Sequence, residues 1–418
     1  MSKALKKDNI WFKHRFFWYS FAYLLFYHIF IVNHLQAWKL NTVTYSGYCV
    51  DFSFGFASKL LPGAVFRLLF GKYASGTTAT IYCTVLIILF FIGLSLWLEK
   101  FMLRMPEKHR SKALFLLLFF LSGAYTFAIY TKWVGMNDTA WLFIALLFFV
   151  CLENRYLRFL IPLLFIASLF IHFSALVFVL PMFSILLLYR ASLMETKAEK
   201  RATIAIFAVC MLCTAGTFIV LMLNESHMIL PMEQFHQKLD ERGMHEYNYI
   251  DYSFFHIWGG KQFVPDAVLA MKASPEKFFK LFYYQVKLVY DLFLENPFSS
   301  TVMTVGGTFI LLPAVVFFER FHLHRLRRQK KTLERFCTIL MLVQFPFIYV
   351  LGILFAISVD MTRYLSHGFL VMFTCVLCVL YHEENAQNTF FEQAQNRHSL
   401  ALKLYFLAYA TVTFMPSI

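Results

Sequence analysis

The run Asp360-Met361-Thr362-Arg363-Tyr364 sets an acid, a guanidinium and a phenol within one helical turn, with His367 three residues further on. Side chains three apart on a helix share a face, so Asp360 and Arg363 can pair with each other. An arginine steadied by a carboxylate also presents the planar fork that grips phosphate in a bidentate way. Both readings, ion pair and phosphate ligand, fit these residues, and Tyr364 and His367 belong to the same candidate substrate site.

Three further positions carry titratable groups in apolar surroundings. Asp51 stands in the aromatic, glycine-rich run Tyr45-Ser46-Gly47-Tyr48-Cys49-Val50-Asp51-Phe52-Ser53-Phe54-Gly55. Its carboxylate can take a proton from a hydroxyl nucleophile or hold a divalent cation such as Mg or Mn. It can equally cap a helix or pair with Lys59. Asp138, in Trp133-Val134-Gly135-Met136-Asn137-Asp138-Thr139, either helps cap the helix that starts at Thr139 or faces the same cavity as Asp51. His172 lies among aliphatic residues between Ser168 and Ser174; it is a packing residue or lines a cavity, as ionisable groups at membrane depth usually do.

Residues 245–263 mix His245, Glu246, Tyr247, Asp251, Tyr252, His256 and Trp258. Aromatic faces beside acids suit sugar rings, which are apolar on their faces and polar at their edges, and Tyr252 and Trp258 are the candidates for that contact. His245, Glu246 and Asp251 have metal-ligand types without a metal-specific spacing, so no metal site is assigned.

The elements that position these residues are membrane spans. The chain is 60% hydrophobic and only 15% charged, and its apolar runs approach the about 20 residues that cross a bilayer core. Spans are expected near 16–36, 78–97, 113–131, 140–153, 158–171, 173–189, 202–223, 300–319, 336–357, 364–381 and 401–416. The expected fold is all-α, a polytopic bundle of about eleven transmembrane helices forming one integral membrane domain over 1–418. Residues 158–189 are too long for one ordinary span and short for two; Arg155 and Arg158 before them and Arg190, Lys197, Lys200 and Arg201 after them call for a turn back near Ser168 to Ser174. A single long tilted helix is the alternative.

With the hairpin, 24 of the 38 Lys and Arg fall in segments 1–15, 98–112, 153–158, 190–201, 320–335 and 382–400, against six in the short loops of the other face. Basic loops stay cytoplasmic, so the N-terminus is inside, the C-terminus outside, and the candidate residues share the outer face of the plasma membrane. That distribution explains the net charge of +14 by orientation and excludes a nucleic-acid partner. The run Arg325-Leu326-Arg327-Arg328-Gln329-Lys330-Lys331 reads as a topology anchor touching anionic lipid. The long outer loop, 224–299, holds ten of the 24 acids, and Ser274-Pro275-Glu276 starts a helix within it. From Phe52 to Phe70 helical spacing with Lys59, Arg67 and Lys72 on the polar side predicts an amphipathic helix in the outer interface. The eight cysteines read as small hydrophobes, the CxxC pairs included.

An acid in the first outer loop beside an interfacial helix, polar outer-face turns, a large late outer loop and a basic site beside a late helix resemble the GT-C superfamily. These are membrane glycosyltransferases that use polyprenyl-phosphate carriers, with bacterial polysaccharide polymerases as related architectures. The resemblance is one of layout over most of the chain. It implies a hexosyl transferase of surface-glycan assembly, with a polyprenyl-phosphate-linked sugar donor, a glycan or lipid acceptor and membrane lipid as partners. By it, Asp51 is the catalytic acid residue, with Asp138 and His172 in support, and Arg363 is the phosphate ligand. Asp51 stands alone where many first loops have paired acids, and the Arg-rich loops of O-antigen-type polymerases are absent. The competing reading is a transporter or flippase for a lipid-linked or polyanionic substrate; spans nearly free of charge and the lack of an internal repeat count against it.

Overall fold

In a low-dielectric setting a segment must satisfy its own backbone N–H and C=O groups, and a helix does so without a partner strand. In a computed structural model, residues 14–28, 40, 42–71, 73–121, 137–224, 229–255, 257–258, 261–262, 307–355, 361–395 and 405 are described. Among them the long elements are all helical: α1 Arg15–Phe26, α2 Thr42–Cys49, α3 Leu61–Phe70, α4 Gly76–Arg104, α5 Glu107–Leu121, α6 Asn137–Glu153, α7 Ile161–Ile171, α8 Val179–Ser192, α9 Lys197–Asn224, α10 Met232–Asp240, α11 Gly307–Arg328, α12 Thr332–Phe355, α13 Met361–His382 and α14 Glu384–Gln395. The one described sheet is a two-residue antiparallel pair, β1 Ile257–Trp258 with β2 Lys261–Gln262. Helices occupy ten of the eleven expected span positions; the eleventh, 401–416, lies outside the described residues except for Tyr405. The expected helix at Ser274-Pro275-Glu276 also lies outside them.

Among the described residues three helices are long and apolar enough to cross a membrane: Gly76–Arg104, Ser174–Ser192 and Lys197–Leu221. Only 11% of the most apolar stretch of the third is buried, so its side chains face outward into whatever surrounds the bundle. Water is a poor match for that surface.

The stretch 158–192 is a hairpin. Its chain turns through a 3-10 turn, Phe173–Leu176, and both of its ends lie together, where Arg158 is within electrostatic reach of Arg190 and Glu199. Midway, Phe183 of α8 stacks on Phe148 of α6 at 4.0 Å and packs on Phe165 of α7 at 5.9 Å. At 11 residues the first limb is about 16 Å long, short of a hydrocarbon core of about 30 Å, whereas the second continues from the 3-10 turn over Ser174–Ser192. The first loop packs on the tip beside the short limb. Ser58 Oγ donates to the Leu169 carbonyl at 2.9 Å, and Phe170 packs on Phe52 and Phe56 with ring centroids 5.6 and 5.1 Å apart.

The amphipathic helix expected over 52–70 is shorter than its pattern suggests. Asp51 through Leu60 form a 3-10 turn followed by a bend and a turn, and only Leu61–Phe70 is α-helical. That helix leaves Val65, Leu68, Leu69 and Phe70 exposed, as an interfacial helix would. Arg67 departs from its expected polar face. It is buried, with Nε donating to the Tyr48 carbonyl at 2.8 Å and Nη1 to the carbonyls of Gly71 and Ala74, so it closes the helix end. Gly63 is required here, because a Cβ would lie 1.8 Å from the Val50 carbonyl oxygen.

At the end of the bundle shared by Arg104, Arg158, Arg190 and Arg325, several helix termini meet in an ion-pair network. Arg325 Nε donates to Glu383 Oε2 at 3.2 Å, its Nη2 donates to Oε1, and the Tyr189 hydroxyl donates to Oε1 at 2.6 Å. Beside it Glu153 lies 3.0 Å from His382 and 3.9 Å from Arg190. The basic run expected as a pure anchor therefore has a member turned inward: helix α11 continues to Arg328, which brings Arg325 to the buried side. The cysteines are all free, and all but the half-buried Cys213 are buried.

Candidate functional site

The opposite end carries a second, small hydrophobic core. Cys49, Val50, Phe54, Ala57 and Leu60 of the first loop pack against Phe235, Leu239, Met244 and Ile250 of the long loop. Apolar residues Phe235 and Leu239 sit four apart on α10, one stripe of a helix. The Leu230 amide donates to the Phe54 carbonyl at 2.9 Å, and Gly55 bridges Ile229.

Asp51 lies at the edge of this core and does two jobs. Its Oδ1 accepts from the Ser53 amide at 2.8 Å and from the Ser53 hydroxyl, which caps the 3-10 turn Phe52–Phe54. Its Oδ2 pairs with Arg242 Nη1 at 2.9 Å. Arg242 also donates to the Cys49 carbonyl at 2.6 Å and to Ser53 Oγ at 3.1 Å, with its guanidinium over the Phe54 ring at 4.6 Å. Burial pushes the Asp51 carboxyl up, but the Ser53 hydroxyl and amide and the Arg242 guanidinium outweigh it and hold it below its ordinary value. The cap expected as one role for Asp51 is present; its ion-pair partner is Arg242.

His172 stands at the tip of the hairpin, in extended backbone between α7 and the 3-10 turn. Its Nδ1 accepts from the Ser174 amide at 3.1 Å and lies 2.7 Å from the Ser174 hydroxyl. An N–H donor on Nδ1 leaves the proton of the neutral ring on Nε2, making that atom a donor. The indole of Trp141 joins His172 to His367: ring centroids are 6.1 Å apart to the former and 5.6 Å to the latter. His367 also packs on Phe178 at 4.9 Å.

Beneath these three rings runs an apolar cavity of about 110 Å³, between α4, α6, α8 and α13. Trp141, Phe178 and His367 line one part of it, with Trp97, Phe149 and Leu377 further in. Trp97 stacks on Tyr381, which Arg104 covers at 3.9 Å, so the cavity ends against the basic end of the bundle.

No protein-family model, curated protein or solved structure matches this chain.

The remaining sequence candidates are placed as follows. Lys59 is half-buried in a left-handed turn conformation, φ 73°, one residue from Ser58 on the hairpin tip. Asp138 lies in the first turn of α6 and Arg363 and Tyr364 in the first turn of α13, at the same end as Trp141 and His367. Tyr252 is in a π-helical turn, Asp251–Phe255, and Trp258 in β1, opposite Lys261. Asp360 lies outside the described residues. Among the described residues no three His, Cys, Asp or Glu side chains form a metal-holding group. The residue that sequence reasoning passed over is Arg242, in the charged string Asp240-Glu241-Arg242 that looks like a solvated turn. Its only signal is the neighbouring Leu239 and Met244, which tie the string to an apolar surface.

Proposed function

We propose that the chain is a polytopic membrane glycosyltransferase or polymerase of surface-glycan assembly, working at the extracytoplasmic face on a polyprenyl-phosphate-linked sugar. In this reading it crosses the plasma membrane eleven times, with the basic end cytoplasmic and residues 224–299 outside. The observation that carries the reading is the vertical order of the site. An apolar cavity rises between four helices to Trp141 and His367, His172 sits edge-on to the same indole, and the carboxylate of Asp51 stands over the same hairpin tip through Phe52 and Phe170. At about 110 Å³ the apolar part takes no more than about the first isoprene unit of a prenyl chain, and the phosphate belongs at the start of α13, where Arg363 lies.

Asp51 has a narrower role than that of a base. A carboxylate engaged by Ser53 and Arg242 and held below its ordinary value is a weak proton acceptor. It serves as a fixed negative charge facing the positive character that grows on an anomeric carbon, or as a ligand to a divalent cation. The test is transfer from a polyprenyl-linked sugar donor in proteoliposomes, together with surface glycan in a deletion strain complemented with each variant. Asp51→Asn and Arg363→Lys are each expected to lower transfer at normal protein level. Undiminished transfer by the double variant would remove Asp51 and Arg363 from the site, and absence of transfer by wild type would replace this reading with the transporter.

A further inference from the structure

If Asp51 is too engaged to accept a proton, the acceptor hydroxyl needs another base, and the same small core supplies a candidate. Helix α10 presents His236, whose Nε2–H donates to Asp251 Oδ1 at 2.6 Å. That bond leaves the lone pair of the neutral ring on Nδ1. The ring is enclosed on one face by Tyr247, stacked at 4.1 Å and 9°, and on an edge by Phe255 at 6.4 Å. It remains 21% exposed and Asp251 18%, so the dyad is sheltered and still reachable from outside. Tyr247 is itself fixed, because its hydroxyl donates to Asp240, which His245 Nδ1 also bonds at 2.8 Å. Two residues on from His236, Lys238 Nζ donates to the Ser53 carbonyl at 2.7 Å, and past the helix end Arg242 holds Asp51. One helix thus ties the dyad to the loop that carries Asp51.

We propose that His236, oriented by Asp251 and walled by Tyr247, is the general base that activates the hydroxyl of the sugar acceptor. The proposal rests on the glycosyl-transfer reading above. The hydroxyl proton moves to His236 Nδ1 while the oxygen forms its bond to the anomeric carbon of the donor. The bond from that carbon to the phosphate oxygen breaks, and its electron pair leaves with the polyprenyl phosphate. The resulting imidazolium is balanced by the Asp251 carboxylate and returns its proton to water. Around His236 the facing charged and titratable groups are Asp251, Asp240, Tyr247 and His245, with Lys238 and the Asp51–Arg242 pair on the first-loop side.

The experiment is the pH–rate profile of transfer from a polyprenyl-phosphate-linked sugar in proteoliposomes, for wild type, His236→Gln, Asp251→Asn and Tyr247→Phe. His236→Gln is expected to lose about 100-fold or more in kcat and to lose the acid limb of the profile, with partial rescue by added imidazole. Asp251→Asn weakens the acceptor that orients the ring, so kcat should fall with protein level unchanged. Tyr247→Phe keeps the stacking face and should keep the limb in place. A structural role would lower protein level or thermal midpoint and leave the limb unmoved. Active wild type with an unchanged limb in His236→Gln overturns the base assignment and leaves the transferase reading standing. Wild type without any transfer overturns both.

Discussion

Arg242 Nη1 stands 2.9 Å from Asp51 Oδ2, across 191 residues of sequence, and the same guanidinium bonds the Cys49 carbonyl and Ser53 hydroxyl. Both partners are largely buried, so each is costly to leave without the other. Arg242→Met should therefore detach residues 229–255 from the first loop, at a cost of about 3 kcal/mol. Limited proteolysis of the variant in membranes should cut within 229–255 where wild type resists. Equal resistance would mean that the apolar contacts of Phe235 and Leu239 hold the two loops together unaided.

The pH response of that docking follows from its sign. The Asp51 carboxyl is depressed in the folded protein, so its contribution is present above the ordinary value of 3.8 and is lost as pH falls through the lower folded value. Proteolytic resistance of the 229–255 region should thus be unaffected by this group from neutrality down to about pH 4, and fall below it. A loss centred near pH 6 would assign the docking to a histidine.

Gly63 fixes how closely α3 approaches α2. A Cβ would fall 1.8 Å from the Val50 carbonyl and 2.8 Å from that of Gly47, and backbone atoms cannot swing aside as a side-chain tip can. Gly63→Ala should cost at least about 3 kcal/mol and lower the thermal midpoint in detergent. Gly216, with nothing within 4 Å of its added Cβ, is the control: Gly216→Ala should be neutral or slightly stabilising, since it lies within a helix.

What the sequence made legible divides along physical lines. Helix positions were readable because each apolar run must close its own hydrogen bonds, so hydropathy alone locates it, as at Gly76–Arg104 and Lys197–Asn224. The hairpin at His172 was readable because arginines flank both its ends. Pairings between distant loops were not. Asp51 could be flagged as an acid beside apolar chain, yet nothing local names Arg242 as its partner. Spacing puts Arg67 on a polar face and basic neighbours put Arg325 in an anchor run, and each turns inward to carbonyls or a carboxylate. A guanidinium has five donors on a long stem, so its helical phase does not decide where it ends.

The network at the basic end should behave as a coupled unit. Arg325→Met leaves Glu383 with the Tyr189 hydroxyl as its remaining described side-chain donor, a loss of about 3 kcal/mol for a buried pair broken on one side. Adding Glu383→Gln should recover much of that loss, because a neutral amide keeps a hydrogen bond to Tyr189 without a stranded charge. Thermal midpoints of the two single variants and the double variant form the cycle. Additive losses would show that Arg325 and Glu383 act independently, and would remove the argument that the ends of α11 and α13 are tied together there.

Sidedness decides whether the candidate residues share one compartment. Described helices alternate in direction: α4, α6, α8 and α13 all finish at the end bearing Arg104, Glu153, Arg190 and His382, while α9 starts there. In the proposed topology the basic end is cytoplasmic, with Lys330 inside and the exposed Glu246 outside. The native cysteines are buried apart from Cys213, so a Cys213→Ser background limits labelling to introduced thiols. In that background Glu246→Cys should react with an impermeant maleimide added to intact cells, and Lys330→Cys only after the membrane is opened. Reaction of both in intact cells would put the basic end and the Asp51–Arg242 core on one side, and no hairpin at His172 could then reconcile the bundle with a single crossing direction for α4. Reaction of Lys330→Cys alone would invert the molecule and move the cavity mouth, with His172 and His367, to the cytoplasm, where a donor delivered from the outer leaflet could not reach it.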